Sequence, residues 1–216
     1  MTIVYLDANV LVPSYTRTLL IMSAPLANFT VVWSHFAETE AVRHQDAGAT
    51  PITMLRQRFG WNCLVPDGTV TLDDTDPKDQ PILSSAILAG AKLVVTENVK
   101  DFGAKDLERH QMSAVHPDLF LSKRLTMAMY QDVLGRLASA RTRIPNTAEE
   151  IHRSETGQRL PLLAQAMEGA YNVNCLPPTK GMPRLTFTGT QCVVCEQNLH
   201  GEARGLGGVC FNCVDS

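Results

Sequence analysis

DPKDQPILSSAILAGAKLVVTENVKDF, residues 76–102, decides the fold. A helix start, an apolar Ala- and Leu-bearing helix, a glycine turn at Gly90 and a short β-branched run at Lys92–Thr96 follow one another without a break. That order is half of a strand-crossover-strand unit. A run such as KLVVT suits a parallel strand buried on both faces, and the polar residues after it emerge at its carboxyl end. In open α/β sheets that edge is where sites form. Asp79 before the helix and Asp101 after the strand therefore face one crevice, and two acids in one cleft suggest a divalent metal.

Working outward toward the amino terminus, IVYL at residues 3–6 reads as a first strand ending at Asp7, with Asn9 inside a helix expected over Val10–Met22. FTVVW at residues 29–33 reads as a second buried strand, and Ser34 is placed to cap the helix behind it. Glu38 and Glu40 in that helix are two residues apart, so only one of them can face the crevice; Glu40 is the choice. Further on, Leu55–Trp61 reads as the end of a helix and Val70–Leu72 as a short strand or an approach to the site. Asp76 suits a helix cap and Asp79 a ligand, with the two roles exchangeable.

Toward the carboxyl terminus a helix is expected over Lys105–His110 and a strand over Met112–Val115, which completes an α/β fold with a parallel sheet of four or five strands. Ser122–Arg143 and Leu160–Tyr171 carry apolar residues at three and four spacing and read as amphipathic helices. The organisation that results is a first domain over 1–122, a helical extension over 123–174, a Pro- and Gly-bearing linker over 175–189 and a small cysteine-bearing module over 190–216.

In that module Cys192 and Cys195 form one CxxC pair and Cys210 and Cys213 another, with fourteen residues between them. Two such knuckles form the signature of a tetrahedral structural zinc site, a four-cysteine ribbon that leaves no coordination position open for chemistry. His200 is an outside candidate for a ligand. The ribbon's role stays open between holding RNA, gripping a protein partner and stabilising a dimer.

The chain has 216 residues, 44% of them hydrophobic and 19% charged, enough for one solid core and an appendage. Its richest apolar window, Leu19–Trp33, is interrupted by Pro25 and Asn28, so no membrane span is expected and a cytoplasmic location is. The net charge of −3 hides an asymmetry: residues 1–99 hold six basic against ten acidic side chains, and residues 123–159 hold seven basic against four acidic. Acid lies with the crevice and base lies behind it. A metal-filled acidic site beside a basic flank can hold a phosphodiester backbone, although solvated helix faces give the same count.

With Asp7, Glu40, Asp79 and Asp101 in place, residues 1–122 resemble the PIN-domain nucleases, VapC-like toxin ribonucleases in particular. YLDANVL resembles that family's strand-Asp-x-Asn-x-Leu opening. WSHFAETEAV resembles its Ser followed six residues on by Glu, and residues 76–102 resemble its Asp-helix-strand-Thr-x-Asn-x-x-Asp-Phe signature. Residues 143–167 are similar, more loosely, to an extension that one subgroup carries. The resemblance implies a three-layer sandwich around the parallel sheet and a Mg²⁺- or Mn²⁺-dependent endoribonuclease acting as the toxin of a toxin–antitoxin pair. It also implies an RNA substrate, a cognate antitoxin and a homodimer. Asp7, Asp79 and Asp101 would hold metal, Glu40 would hold a second ion or help activate water, and Asn9, Ser34, Thr96 and Asn98 would support the cluster. Ala8 and Glu97 depart from the family pattern, Glu97 by adding negative charge at the site. Two alternatives from other classes are a non-catalytic nucleic-acid-binding module and a phosphatase or DNA-processing nuclease.

Overall fold

Short β-branched runs buried on both faces build the centre of the chain in the computed structural model, which describes residues 1–46, 49–59, 63–199 and 207–214. Strand β1 (Thr2–Leu6) is followed by α1 (Ala8–Leu11) and α2 (Ser14–Ser23), then β2 (Phe29–Ser34), α3 (His35–His44) and α4 (Ile52–Phe59). The helix expected over Val10–Met22 is split because Pro13, which has no amide hydrogen, stands between α1 and α2. After β3 (Leu64–Val65) come α5 (Gln80–Leu88), β4 (Leu93–Val95), α6 (Ala104–Arg109) and β5 (Ser113–Val115). Trp61 lies outside the described residues.

Among the described residues the sheet has six strands in the order β3-β2-β1-β4-β5-β6, where β6 is Phe187–Gly189. The first five are parallel, and β6 runs antiparallel to β5. From β1 the chain moves outward one way to β2 and β3, then returns and moves the other way through β4 to β5. The order therefore reverses between β1 and β4. Val4, Leu6, Leu93, Val94, Val95, Ala114 and Val115 are fully buried, and each such side chain contributes roughly 1.5–3 kcal/mol relative to exposure for the larger aliphatics.

Three expectations are corrected. The third strand is Leu64–Val65, not Val70–Leu72: the Gly68 amide donates to Ser85 Oγ at 2.9 Å and the Val70 amide to Ser84 Oγ at 2.5 Å, so this segment lies along α5. A Cβ at Gly68 would stand 2.2 Å from the Ser84 carbonyl. Among the described residues the sheet has six strands rather than four or five, because antiparallel β6 joins the five parallel ones that the expectation allowed. The third correction concerns 175–189, which is not a free linker. Its end forms β6 on the open edge of β5, and its start is tied down where the amides of Leu176 and Thr179 donate to the carbonyls of Arg153 and Gln158.

The carboxyl-terminal half continues with α7 (Pro117–Arg124) and α8 (Met127–Ser139). Thr126 caps α8 by accepting from the Met129 amide at 3.3 Å, which breaks the single helix expected from Ser122 to Arg143. Next come α9 (Ala148–Ile151), a π-helical turn at His152–Thr156, α10 (Gly157–Arg159) and α11 (Pro161–Ala166). The cysteine module, ending in α12 (Phe211–Val214), is docked on the sheet. Gln191 and Ser113 exchange hydrogen bonds of 2.7 and 3.0 Å, Arg124 pairs with Glu196 at 2.7 Å, Thr2 Oγ1 also donates to Glu196, and Val193 is fully buried in the main core. No helix among the described residues is long and apolar enough to cross a membrane.

Candidate functional site

Parallel strands bring all their carboxyl ends to one edge, and the point where the order reverses, between β1 and β4, is where such sheets leave a crevice. Asp7 closes β1 there and Thr96 closes β4. They meet directly: Thr96 Oγ1 donates to Asp7 Oδ2 at 2.7 Å. Asn9 Nδ2 donates to the same oxygen at 2.6 Å and lies 3.1 Å from Thr96 Oγ1, while Asn9 Oδ1 accepts from the Glu97 amide at 3.0 Å. The Asn98 amide donates to Thr96 Oγ1 at 3.0 Å. Asn9 and Thr96 thus lock Asp7 through Oδ2, leaving Oδ1 without a side-chain donor among the described residues. Asn98 takes part through its backbone, and its side chain is exposed.

Ser34 sits one step away as a cap. Its Oγ accepts from the Ala37 amide at 3.3 Å and from Tyr5 OH at 2.8 Å, so it joins β1 to the start of α3 and faces the fold rather than the crevice. Along α3 the two glutamates part company. Glu38 is buried and accepts from the Trp33 indole at 2.9 Å, whereas Glu40, half-buried, adds its field to Asp7 and Asp79.

The acidic loop before α5 sorts in the same way. The Asp76 carbonyl accepts from the amides of Asp79 and Gln80 at 2.8 and 3.1 Å, and its Oδ1 accepts from Lys78 N at 3.0 Å, so Asp76 opens the turn that runs into α5. Its own amide donates to the Asp101 carbonyl at 2.9 Å and ties the two acidic loops together. The cap position itself is a correction: Asp79, not Asp76, is the N-cap residue of α5, although its side chain makes no capping bond. Asp73 pairs with Arg109 at 3.0 Å and Asp74 accepts from the Lys105 amide at 3.1 Å, which occupies both elsewhere.

Burial and crowding set the electrostatics. Loss of water pushes the Asp7 carboxyl up to about 6 against the lowering effect of Thr96, with Glu40 pushing it further up. Asp79 is pushed up to about 7, by burial first and then by Asp7, Asp101, Asp76 and Glu40. Four acids from four distant places in the chain therefore share one electrostatic environment. None of Asp7, Glu40, Asp79 and Asp101 has an ion-pair partner among the described residues. They are nevertheless spread: among the described residues no three carboxylates have ligand oxygens all within 4.8 Å of one another.

The cysteines are different. Ligand atoms of Cys192, Cys195, Cys210 and Cys213 all lie within 4.8 Å of one another, and Cys195 and Cys210 sulfurs are 3.5 Å apart. A tetrahedron with Zn–S bonds of about 2.3 Å places its sulfurs about 3.8 Å apart, so the four thiols could hold a metal such as zinc. Burial alone would raise the Cys192 thiol, but the backbone amides of Cys195, Cys210 and Val194 bring it down to about 7. Cys213 is pushed up to about 12 by burial and the neighbouring thiols. His200 lies outside the described residues.

Two buried carboxylates escaped the sequence. Asp106 lies under the acidic loop and accepts from the amides of Asp73, Asp74 and Thr75 at 3.2, 2.8 and 2.9 Å; burial opposes its charge, but these donors hold it below the usual carboxylate range. Asp118 accepts from Leu162 and Leu163 amides at 2.9 and 2.8 Å, anchoring α11 beneath the same edge, and burial pushes it up to about 6. Nothing in their spacing distinguishes them from solvated acids. Comparison of the chain with family models, curated proteins and solved structures finds no match in any of the three.

Proposed function

We propose that this chain is a Mg²⁺- or Mn²⁺-dependent endoribonuclease and serves as the toxin of a cytoplasmic toxin–antitoxin pair, with a PIN-like architecture over residues 1–122. The observation that carries the reading is the gathering of four carboxylates without a counter-cation around the reversal point of a parallel sheet, two of them with pKa values pushed up to about 6 and 7. Such a group repels itself and favours a hard divalent cation. The RNA substrate, the toxin role, the antitoxin and a homodimer rest on the resemblance of YLDANVL, WSHFAETEAV and residues 76–102 to VapC-like toxins.

The donor set fits a hydrated ion. Mg²⁺ usually keeps several waters and binds through one or two carboxylates, so acids that do not close to 4.8 Å can still share it through water. Asp7, Asp79 and Asp101 would hold the cation, and Glu40 would hold a second or accept a proton from the attacking water. The ion would neutralise charge on the phosphate and make its bound water nucleophilic. Asn9 and Thr96 keep Asp7 Oδ2 in place, so that the carboxylate would meet a cation at low reorganisation cost.

RNA incubated with the purified chain is expected to be cut only with added Mg²⁺ or Mn²⁺, and Asp79→Asn is expected to abolish the cleavage with the fold intact. A fully active Asp79→Asn variant would refute the assignment. The spread of the carboxylates favours a second reading, a non-catalytic nucleic-acid-binding module; metal-dependent cleavage by the wild type rules it out. Parallel assays on DNA and a small phosphate ester separate RNA cleavage from the remaining hydrolase readings.

A further inference from the structure

The loop that carries Asn98 and Asp101 has a second side. Glu97 and Lys100 on that loop form one wall of a groove of about 320 Å³, whose other walls are Arg159 at the end of α10 and residues 180–185 on the way to β6. Four cations line it: Lys100, Arg159, Lys180 and Arg184. All four are exposed. Lys100, Arg159 and Arg184 make no ion pair among the described residues, and Lys180 is matched only by Glu97 at 3.8 Å. Of the acids, Asp118 also lines the groove but is taken up by the amides at the start of α11. The groove is therefore a cationic strip next to an anionic crevice, and Lys100 is joined to Asp101 by one peptide bond.

Resting on the nuclease reading, we propose that this groove holds the phosphodiester backbone of single-stranded RNA flanking the bond to be cut. A polyanion whose scissile phosphate lies at the carboxylates must lay neighbouring phosphates on one side or the other, and unpaired lysine and arginine side chains are what phosphates displace counterions to reach. An acidic peptide would meet the same cations but has no phosphate to place among the crevice acids. The apolar side chains of Met182 and Leu185, 51% and 47% exposed at the groove, offer surfaces to unstacked bases, which a duplex does not present.

The proposal makes residues 159–185 part of the substrate site rather than a tether. It is tested with the zinc-loaded full chain and a short fluorescein-labelled single-stranded RNA of mixed sequence, by fluorescence anisotropy without added Mg²⁺ or Mn²⁺. The triple variant Arg159→Gln, Lys180→Gln, Arg184→Gln is expected to bind about tenfold or more weakly, with the slope of log affinity against log salt reduced by about 2. An equal-charge control outside both the groove and the 123–159 flank, Arg43→Gln, Lys92→Gln, Arg109→Gln, is expected to bind within about twofold of wild type. If the triple variant melts early, the double variant Lys180→Gln, Arg184→Gln gives the same reading from positions with the side chains in solvent. Unchanged RNA binding by the groove variant overturns the proposal. So does loss of binding to a labelled polyglutamate peptide with RNA binding intact, which would assign the groove to an acidic protein partner. Cleavage is scored separately: groove-dependent RNA binding by a chain that cuts nothing with Mg²⁺ or Mn²⁺ supports the groove and sinks the nuclease reading, whereas metal-dependent cutting that ignores the triple variant does the reverse.

Discussion

The chain carries two groups of side chains whose chemistry suits metals, thiols in one and carboxylates in the other, and they are built on opposite plans. Four thiols converge within 4.8 Å on a short docked module, whereas four carboxylates stand around a crevice without closing to that distance. Where the side chains already touch, a metal would complete the structure; where rigid strand ends hold them apart, the proposed metal and its waters would be shared with a substrate. The difference follows from what surrounds each group. Cys192 receives backbone amides from Val194 and Cys210 at 3.4 Å, so the loops wrap the sulfurs, while the side chains of Asn9 and Thr96 both hold Asp7 by its Oδ2.

The contrast breaks most easily at the thiols. One zinc per chain is expected by elemental analysis, bound by the four-sulfur group. Structural zinc contributes on the order of 10 kcal/mol to such modules. Because Val193 is fully buried in the main core and Glu196 pairs with Arg124, the loss will spread beyond the ribbon. Cys195→Ser with Cys210→Ser, or strong chelation, is expected to lower Tm by about 10 °C or more, at roughly 2–4 °C per kcal/mol for a chain of this size. Unchanged melting with full loss of zinc would mean the ribbon is an independent appendage.

At the carboxylates the expectation is reversed: a large effect on rate and a small one on stability. Asp79→Asn removes a charge from a crowded group, so Tm should hold or rise, while metal-dependent cleavage should fall by about 10²–10⁴-fold, the equivalent of the several kcal/mol that metal-held charge stabilisation supplies. Rate and melting measured on the same preparation separate the two plans.

Much of this contrast was legible in the residues, for reasons that also mark where legibility ends. Strand ends in a parallel sheet share one edge, so IVYL followed by Asp7 and LVV followed by Thr96 could be brought together without knowing any angle. The CxxC pairs announce their own geometry. By contrast β3 is two residues long and β6 is Phe-Thr-Gly in a Pro- and Gly-bearing stretch; each exists because a neighbouring strand leaves an open edge, which no local pattern encodes. Gly189 fits β6 because its φ of +127° and its approach to Ser113, where a Cβ would stand 2.5 Å from the backbone, exclude a side chain. The anchoring roles of Asp106 and Asp118 depend on amides 31–33 and 44–45 residues away.

Glu38 and Glu40 sharpen the comparison inside one helix. Sequence spacing says only that they diverge; the Trp33 indole decides which one is structural. Glu40→Gln is expected to lower cleavage about 10–100-fold with little change in Tm, as for ligands that orient a metal site from its rim. Glu38→Ala strands a buried indole N–H and is expected to cost about 1–3 kcal/mol of stability with cleavage retained. The opposite pattern would exchange the two assignments.

The smallest expected effect is on the pH dependence of melting without added Mg²⁺ or Mn²⁺, and its sign discriminates. Asp7 and Asp79 have folded-state pKa values pushed up to about 6 and about 7, mainly by burial. Their protonated forms favour the fold, so their contribution is fully present below the unfolded value near 4 and is lost as pH rises through 6 and 7. Asp118, raised to about 6, has the same sign. His116 opposes it, since burial and then Lys180 pull its pKa down to about 4, and its contribution is lost as pH falls from about 6.5 toward 4. His152, whose pKa burial also lowers, acts in the same sense as His116, and only from about pH 7.5 to 8 are both close to neutral in both states, so that the raised carboxylates, Asp79 above all, lead the variation. Tm of the zinc-loaded chain should therefore drift downward over that interval, by a few degrees at most, and Asp79→Asn should flatten the drift. Added Mg²⁺ should oppose it in the wild type more than in the variant, because a bound cation stabilises the ionised acids. A drift that Asp79→Asn and Mg²⁺ both leave untouched would mean the four acids are not electrostatically one group, and the distinction between a closed sulfur site and an open oxygen site would then rest on the thiols alone.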